Sequence, residues 1–215
     1  MNDSYDVVIS GGGPVGAFLA LALRDSPLSV LHVDNQESAA PRPIALAHGS
    51  RILLDQHEVF GKIPHTPIRS VHVSQQGAFG RTLLRADDYS LPALGYVADY
   101  AGIRDELTAQ WAPTAGRVST WSATAQGVKV QVNPFAGNEQ SVQARLLILA
   151  EGAQTGTSQP HSPAAESTRI RDYAQVAIVA QVQTQAAHEN RAYERFTPQG
   201  PLALLPDKDG FALVW

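Results

Sequence analysis

Residues 10–18 read "SGGGPVGAF", and what this stretch does decides what the fold is. Gly11, Gly13 and Gly16 stand in G-x-G-x-x-G spacing. Before them, "YDVVIS" (5–10) reads as a short buried strand. After them Pro14 suits a first helical turn, where its missing N–H is not needed. The helix should run to about Asp25, and "VGAFLALAL" is apolar nearly all round, so it should be buried. Residues 28–33, "LSVLHV", form a second strand that ends at Asp34. Strand, helix and strand in this order predict a βαβ unit and a parallel sheet.

The glycine spacing has a physical meaning. Gly11 permits the tight turn, Gly13 lets backbone approach a pyrophosphate, and Gly16 lets helix and strand pack closely. The phosphates then meet the positive end of the helix that Pro14 and Val15 open. Asp34, 23 positions after Gly11, is placed to accept hydrogen bonds from ribose hydroxyls. The bland alternative is a glycine turn in an ordinary βαβ unit, with Asp34 a solvated strand end. This constellation does not separate a nicotinamide dinucleotide from a flavin.

The rest of the chain changes texture. Residues 35–47 are polar and proline-rich and read as an extended loop, followed by a helix from about His48 to Phe60. "IRSVHVSQQG" and "GRTLLRAD" alternate around a short turn and predict an antiparallel hairpin. A helix over 102–112 and three strands, "RVSTWSATA", "GVKVQVNP" and "QSVQARLLILA", come next. "LLILA" (146–150) is continuously apolar, as a central parallel strand is. Residues 154–168 read as a surface loop, and four more strands finish the chain. A plain dehydrogenase would continue βαβ alternation after Asp34; the hairpin speaks against it.

Composition narrows the function. The 215 residues carry a net charge of −4 with no clustered basic patch, which argues against nucleic acid. There is no cysteine, so thiolate chemistry, disulfides and cysteine-based zinc sites are excluded. The seven histidines show no ligand spacing, so no metal site is expected and structural roles are favoured; His48, beside the Arg42 loop, is the one to watch. "DKDG" (207–210) reads as a hairpin turn. No segment approaches the ~20 apolar residues of a membrane span.

Three later motifs carry a resemblance. "RPIALAHGS" (42–50), "RDEL" (104–107) and "LLILAEGAQT" (146–155) are similar to motifs of the flavoprotein aromatic hydroxylases with the p-hydroxybenzoate hydroxylase fold. "RDYAQVAIVAQV" (171–182), with Asp172, Tyr173 and Gln175, and "AYERFTPQGPLALLPDKDGFALVW" (192–215) resemble the narrower group of ubiquinone-biosynthesis hydroxylases. The resemblance implies FAD as cofactor, with Arg42 and Arg104 contacting the dinucleotide. Glu151-Gly152 stands where the family has Asp-Gly. It further implies NAD(P)H as co-substrate, O₂, and hydroxylation of a phenolic ring that carries a polyprenyl tail. No catalytic side chain is assigned, since the flavin supplies the chemistry.

The expected architecture is α/β: a Rossmann-like FAD-binding domain (1–66 and 96–168) interleaved with an antiparallel-sheet substrate domain (67–95 and 169–215). The resemblance also implies a C-terminally truncated family member and peripheral membrane association of the full-length enzyme, and the lack of cysteine fits the expected cytoplasmic location. The alternative is a non-catalytic remnant with weak or no flavin binding.

Overall fold

The structure is a computed structural model that describes residues 3–37, 40–152 and 171–215. The predicted loop over 154–168 lies outside them. The chain divides into two compact units, Met1–Ala39 with Arg104–Arg171, and Ala40–Ile103 with Asp172–Trp215. These divisions differ from the predicted boundaries near 66, 95 and 168. The segment after residue 40 builds its own small sheet instead of joining the first unit.

In the first unit the predicted βαβ start is present. Strand β1 (Ser4–Ser10) leads through the glycines to helix α1 (Pro14–Ala22), then to β2 (Val30–Asp34). β1 and β2 pair in parallel, Val7 opposite Val30 and Ser10 opposite Val33. On the other side β1 pairs in parallel with β10 (Gln140–Leu149), so "LLILA" does enter a parallel sheet.

The ring of strands closes because two strands each pair antiparallel with one neighbour and parallel with the other. The first half of β10 pairs antiparallel with β9 (Gly127–Pro134), and its second half lies along β1. β8 (Thr114–Thr124) pairs antiparallel with β9, while its first residues, Thr114 and Ala115, sit parallel to Val33 and Asp34 of β2. A register shift between Val118 and Thr120 lets β8 bend, as an extra residue in a strand does. The order β1-β10-β9-β8-β2 is thus a closed barrel. Val8, Leu31, Val33, Val118, Val130, Val132 and Val142 fill its interior. Each such buried side chain contributes roughly 1.5–3 kcal/mol by its removal from water. The opposite face of β1 and β2 carries Val7, Ile9 and Val30, packed with Leu19 and Ala20 of α1 and with Leu23 just after it.

The second unit holds two sheets. β3 (Pro43–Ala47), β7 (Gly95–Asp99) and β4 (His65–Ile68) form a three-stranded antiparallel sheet in that order. β3 occupies part of the predicted loop. Its partner β7 lies some fifty residues on, so local composition could not announce it. Pro67 is tolerated because β4 is an edge strand. Helix α2 (His48–Asp55) ends short of the predicted Phe60, and a 3₁₀ turn covers Phe60–Lys62.

The six-stranded sheet runs β11 (Val179–Val182), β14 (Gly210–Val214), β13 (Gly200–Asp207), β12 (Arg191–Thr197), β5 (Ser70–Gln75), β6 (Arg81–Arg85). The predicted hairpin β5–β6 and the turn at 208–209 between β13 and β14 are both present. The sheet is mixed, however, not purely antiparallel: β5 and β12 run parallel. Parallel neighbours need a long connection, and here more than a hundred residues intervene. Ile68, Val97 and Ala192, with Val71 and Leu205, pack the two sheets of this unit together. Among the described residues no helix is long and apolar enough to cross a membrane.

Candidate functional site

The site is built where three strands of the first unit end together. β1 stops at Ser10, β2 at Asp34 and β10 at Leu149. The turn that follows β1 is fixed by main chain on both sides: Gly11 N–H donates to the Val33 carbonyl (2.8 Å), and Ala150 N–H donates to the Ser10 carbonyl (2.7 Å).

Gly11 has φ +112°, a conformation that a side chain would strain. A Cβ there would also lie 2.4 Å from the Ala150 carbonyl oxygen. At Gly12 a Cβ would strike the Asp34 carboxyl carbon at 2.2 Å, and at Gly16 it would meet the Gly11 carbonyl oxygen at 2.0 Å. Helix and turn therefore touch through bare backbone. Gly13 is the N-cap residue of α1 in an extended conformation, Pro14 is the first helical residue, and no side chain caps the helix. The first-turn N–H groups have no intrahelical acceptor, and the helix dipole favours an anion at that end. Val15 is 75% exposed beside them. An uncapped, sterically bare helix start fits a dinucleotide pyrophosphate.

Asp34 is 6% exposed and aimed at the turn. Its Oδ1 accepts from Gly12 N–H (3.0 Å) and its Oδ2 from Arg104 (3.0 Å). A carboxylate has about four lone-pair sites, so both oxygens keep acceptor capacity for a sugar hydroxyl. Asp34 is not the solvated strand end of the bland alternative.

Arg104 stands in the fifth position of helix α3 (Tyr100–Gln110), which starts two residues earlier than predicted. Asp99 caps that start by accepting from Gly102 N–H (3.1 Å). The Arg104 side chain is 14% exposed, paired with Asp34, and also donates to the Glu37 carbonyl. It ties the end of β2 to α3.

Glu151 follows β10 and accepts a hydrogen bond from the hydroxyl of Ser10, which is 3% exposed. Gly152 follows it with φ +66°, and a Cβ there would meet none of the described residues within 4 Å. Arg42 is in the second unit, exposed, with its guanidinium carbon 4.0 Å from the centre of the Tyr100 ring. Its carbonyl accepts from Tyr100 N–H (2.9 Å). His48 begins α2 and stacks at 6.3 Å on Tyr96, and its Nδ1 is buried without a partner among the described residues.

The structure thus gathers Gly11, Gly13, Pro14, Val15, Gly16, Asp34, Arg104, Glu151 and Gly152 in one unit, and places Arg42 in the other. Sequence reasoning passed over two residues. Ser10 is the partner of Glu151. His32, 2% exposed, has its Nε2 3.0 Å from the Gly11 carbonyl oxygen. Burial pushes the His32 imidazole below its ordinary pKa, although the Gly11 carbonyl and nearby Asp34 act the other way. The signal was strand alternation: His32 is two residues before Asp34, so both face the turn. Among the described residues no group of three or more His, Cys, Asp or Glu is placed to hold a metal.

No family model matches the chain. Curated relatives do. The human ubiquinone biosynthesis monooxygenase COQ6, mitochondrial, is 30% identical over 239 residues, covering 98% of this chain and 50% of the relative. The ubiquinone hydroxylase UbiL of Rhodospirillum rubrum is 30% identical over 223 residues, covering 98% and 51%. The crystal structure of Klebsiella pneumoniae HpxO complexed with FAD and uric acid matches with a TM-score of 0.73 at 17% identity, over 97% of this chain and 55% of that one. The chain spans about half the length of the curated relatives it matches. Along almost its entire length the chain is a relative of the ubiquinone-biosynthesis hydroxylases, with the fold of the FAD-dependent monooxygenases.

Proposed function

We propose that this chain forms the adenosine and pyrophosphate side of an FAD site in a monooxygenase that hydroxylates a phenolic ring. The observation that carries the reading is the Gly11–Gly16 turn, bare of side chains, with Asp34 bonded to it. Gly13 and the first turn of α1, with Pro14 and Val15, would take the phosphates; Asp34 would take the ribose, and Arg104 would hold Asp34 in place. Glu151 and Gly152 complete the set of candidate contacts in this unit. When bound, FAD supplies the redox chemistry, with NAD(P)H as reductant and O₂ as oxygen source. The protein's own part is to bind, orient and keep water out.

A polyprenylated phenol of ubiquinone synthesis is the proposed substrate class, because the relatives' names include ubiquinone hydroxylase and ubiquinone biosynthesis monooxygenase. A Rossmann-like flavin domain interleaved with a substrate sheet, a cytoplasmic setting and peripheral membrane contact of the complete enzyme belong to the same reading.

Titration of the purified chain with FAD, followed by quenching of flavin fluorescence, tests it. Saturable binding that Asp34→Ala weakens supports the reading; no binding of FAD or ADP overturns it. NAD(P)H oxidation with and without a phenol then separates an enzyme from a flavin-binding module without turnover.

A further inference from the structure

Two successive peptide planes make the turn after β1, and each is held at both ends. The Ser10–Gly11 plane is held by main chain: its carbonyl accepts from Ala150 N–H and its N–H donates to the Val33 carbonyl. Any sequence could supply those bonds. The Gly11–Gly12 plane is held by side chains. His32 Nε2 lies 3.0 Å from its carbonyl oxygen, and Asp34 Oδ1 lies 3.0 Å from its N–H. The two holders are i and i+2 on β2 and so share a face.

A peptide between two glycines is the least hindered to rotate, since no Cβ stands on either side. This plane is also the one on which α1 rests, because Gly16 packs against the same Gly11 oxygen. A carbonyl only accepts, so the His32 proton sits on Nε2. Its Nδ1 is then a bare lone pair, buried without a partner among the described residues. A second proton there would be an unsatisfied buried charge.

We propose that His32 is a positioning residue for the dinucleotide: together with Asp34 it clamps the Gly11–Gly12 peptide plane from both ends and presets the phosphate-facing turn. The inference rests on the flavin reading above and adds a residue to it. Loss of the clamp leaves the turn to sample other orientations, and binding must then reselect the right one.

The test uses the full chain as wild type, His32→Leu and His32→Gln. The glutamine amide reaches as far as Nε2 and restores a donor; leucine fills the space without one. Two quantities are read: hydrogen exchange of the Gly12 amide without ligand, and the Kd for FAD and for ADP. The expected result is faster Gly12 exchange and an about tenfold weaker Kd for both ligands in His32→Leu, as one lost hydrogen bond gives. His32→Gln should recover most of both. A leucine variant with wild-type exchange and Kd overturns the proposal, and so does a glutamine variant no better than leucine. Should leucine prevent folding, His32→Asn, whose amide is too short, takes its place against His32→Gln. If the wild type binds neither FAD nor ADP, the flavin reading falls, while Gly12 exchange still judges the clamp.

Discussion

The glycines of the β1 turn and two glycines of the second unit, Gly49 and Gly61, differ in what a side chain would meet. In the first unit, a Cβ at Gly11, Gly12 or Gly16 would lie 2.0–2.4 Å from atoms of the same unit. In the second, Gly49 and Gly61 have nothing within 4 Å. The first set is demanded by contact, the second by nothing in the fold. Polar groups divide in the same way. Asp34, His32 and Ser10 are buried and bonded around the turn, whereas the second unit rests on two sheets joined through small apolar contacts. A backbone surface meant to meet another molecule is costly to hold still, so packing and buried hydrogen bonds concentrate there.

Substitutions that treat the two sets alike should therefore give opposite results. Gly16→Ala forces a methyl against backbone that cannot move aside, and should cost roughly 4 kcal/mol, above the usual range for overpacking. Denaturant unfolding checks it; an unchanged midpoint would show that the helix can slide off the turn.

Arg104→Met comes next. It leaves the Asp34 carboxylate buried without its cation and should cost about 3 kcal/mol, near the low end for a broken buried pair because the arginine is partly exposed. The double variant Arg104→Met with Asp34→Asn should recover part of that loss, a cycle that isolates the pair from the packing of the methylenes.

Acid sharpens the comparison further. The folded His32 has a lowered pKa, so the unfolded chain takes up the proton first. Stability conferred by neutral His32 is full above the unfolded value near 6.5 and is lost as pH falls through the folded pKa. Thermal unfolding of wild type should weaken as pH drops below about 6.5, and His32→Gln should remove that component. Asp6 does not interfere in this window. The backbone N–H of Ser29, then Arg145, hold it down to about 2, so its contribution fades only below its ordinary value of 3.8. A variant with the same slope as wild type between pH 6.5 and 5 would show that another group carries the dependence.

The smallest effect has the other sign. Gly49→Ala, in the first turn of α2 with open space around it, should raise stability by about 0.5 kcal/mol. A loss instead would reveal a constraint on the second unit that its contacts do not show.

The sequence by itself determined the βαβ start, the glycine turn, the hairpin at 70–85 and the C-terminal meander. In each, periodicity and turn residues act over fewer than about twenty positions, within reach of local pattern. It also marked Asp34, since a carboxylate at the end of a second strand has a fixed place in such a unit. Tertiary structure alone decided the rest. β3 and β7 are strands because each completes the other across some fifty residues. β5 and β12 run parallel across more than a hundred intervening residues, among them the Arg104–Arg171 segment of the first unit. Arg104 meets Asp34, and Ser10 meets Glu151, across 70 and 141 positions. His32 looked like any buried histidine until the turn folded over it. Contacts that join distant residues depend on where the chain returns, and no short window of sequence holds that information.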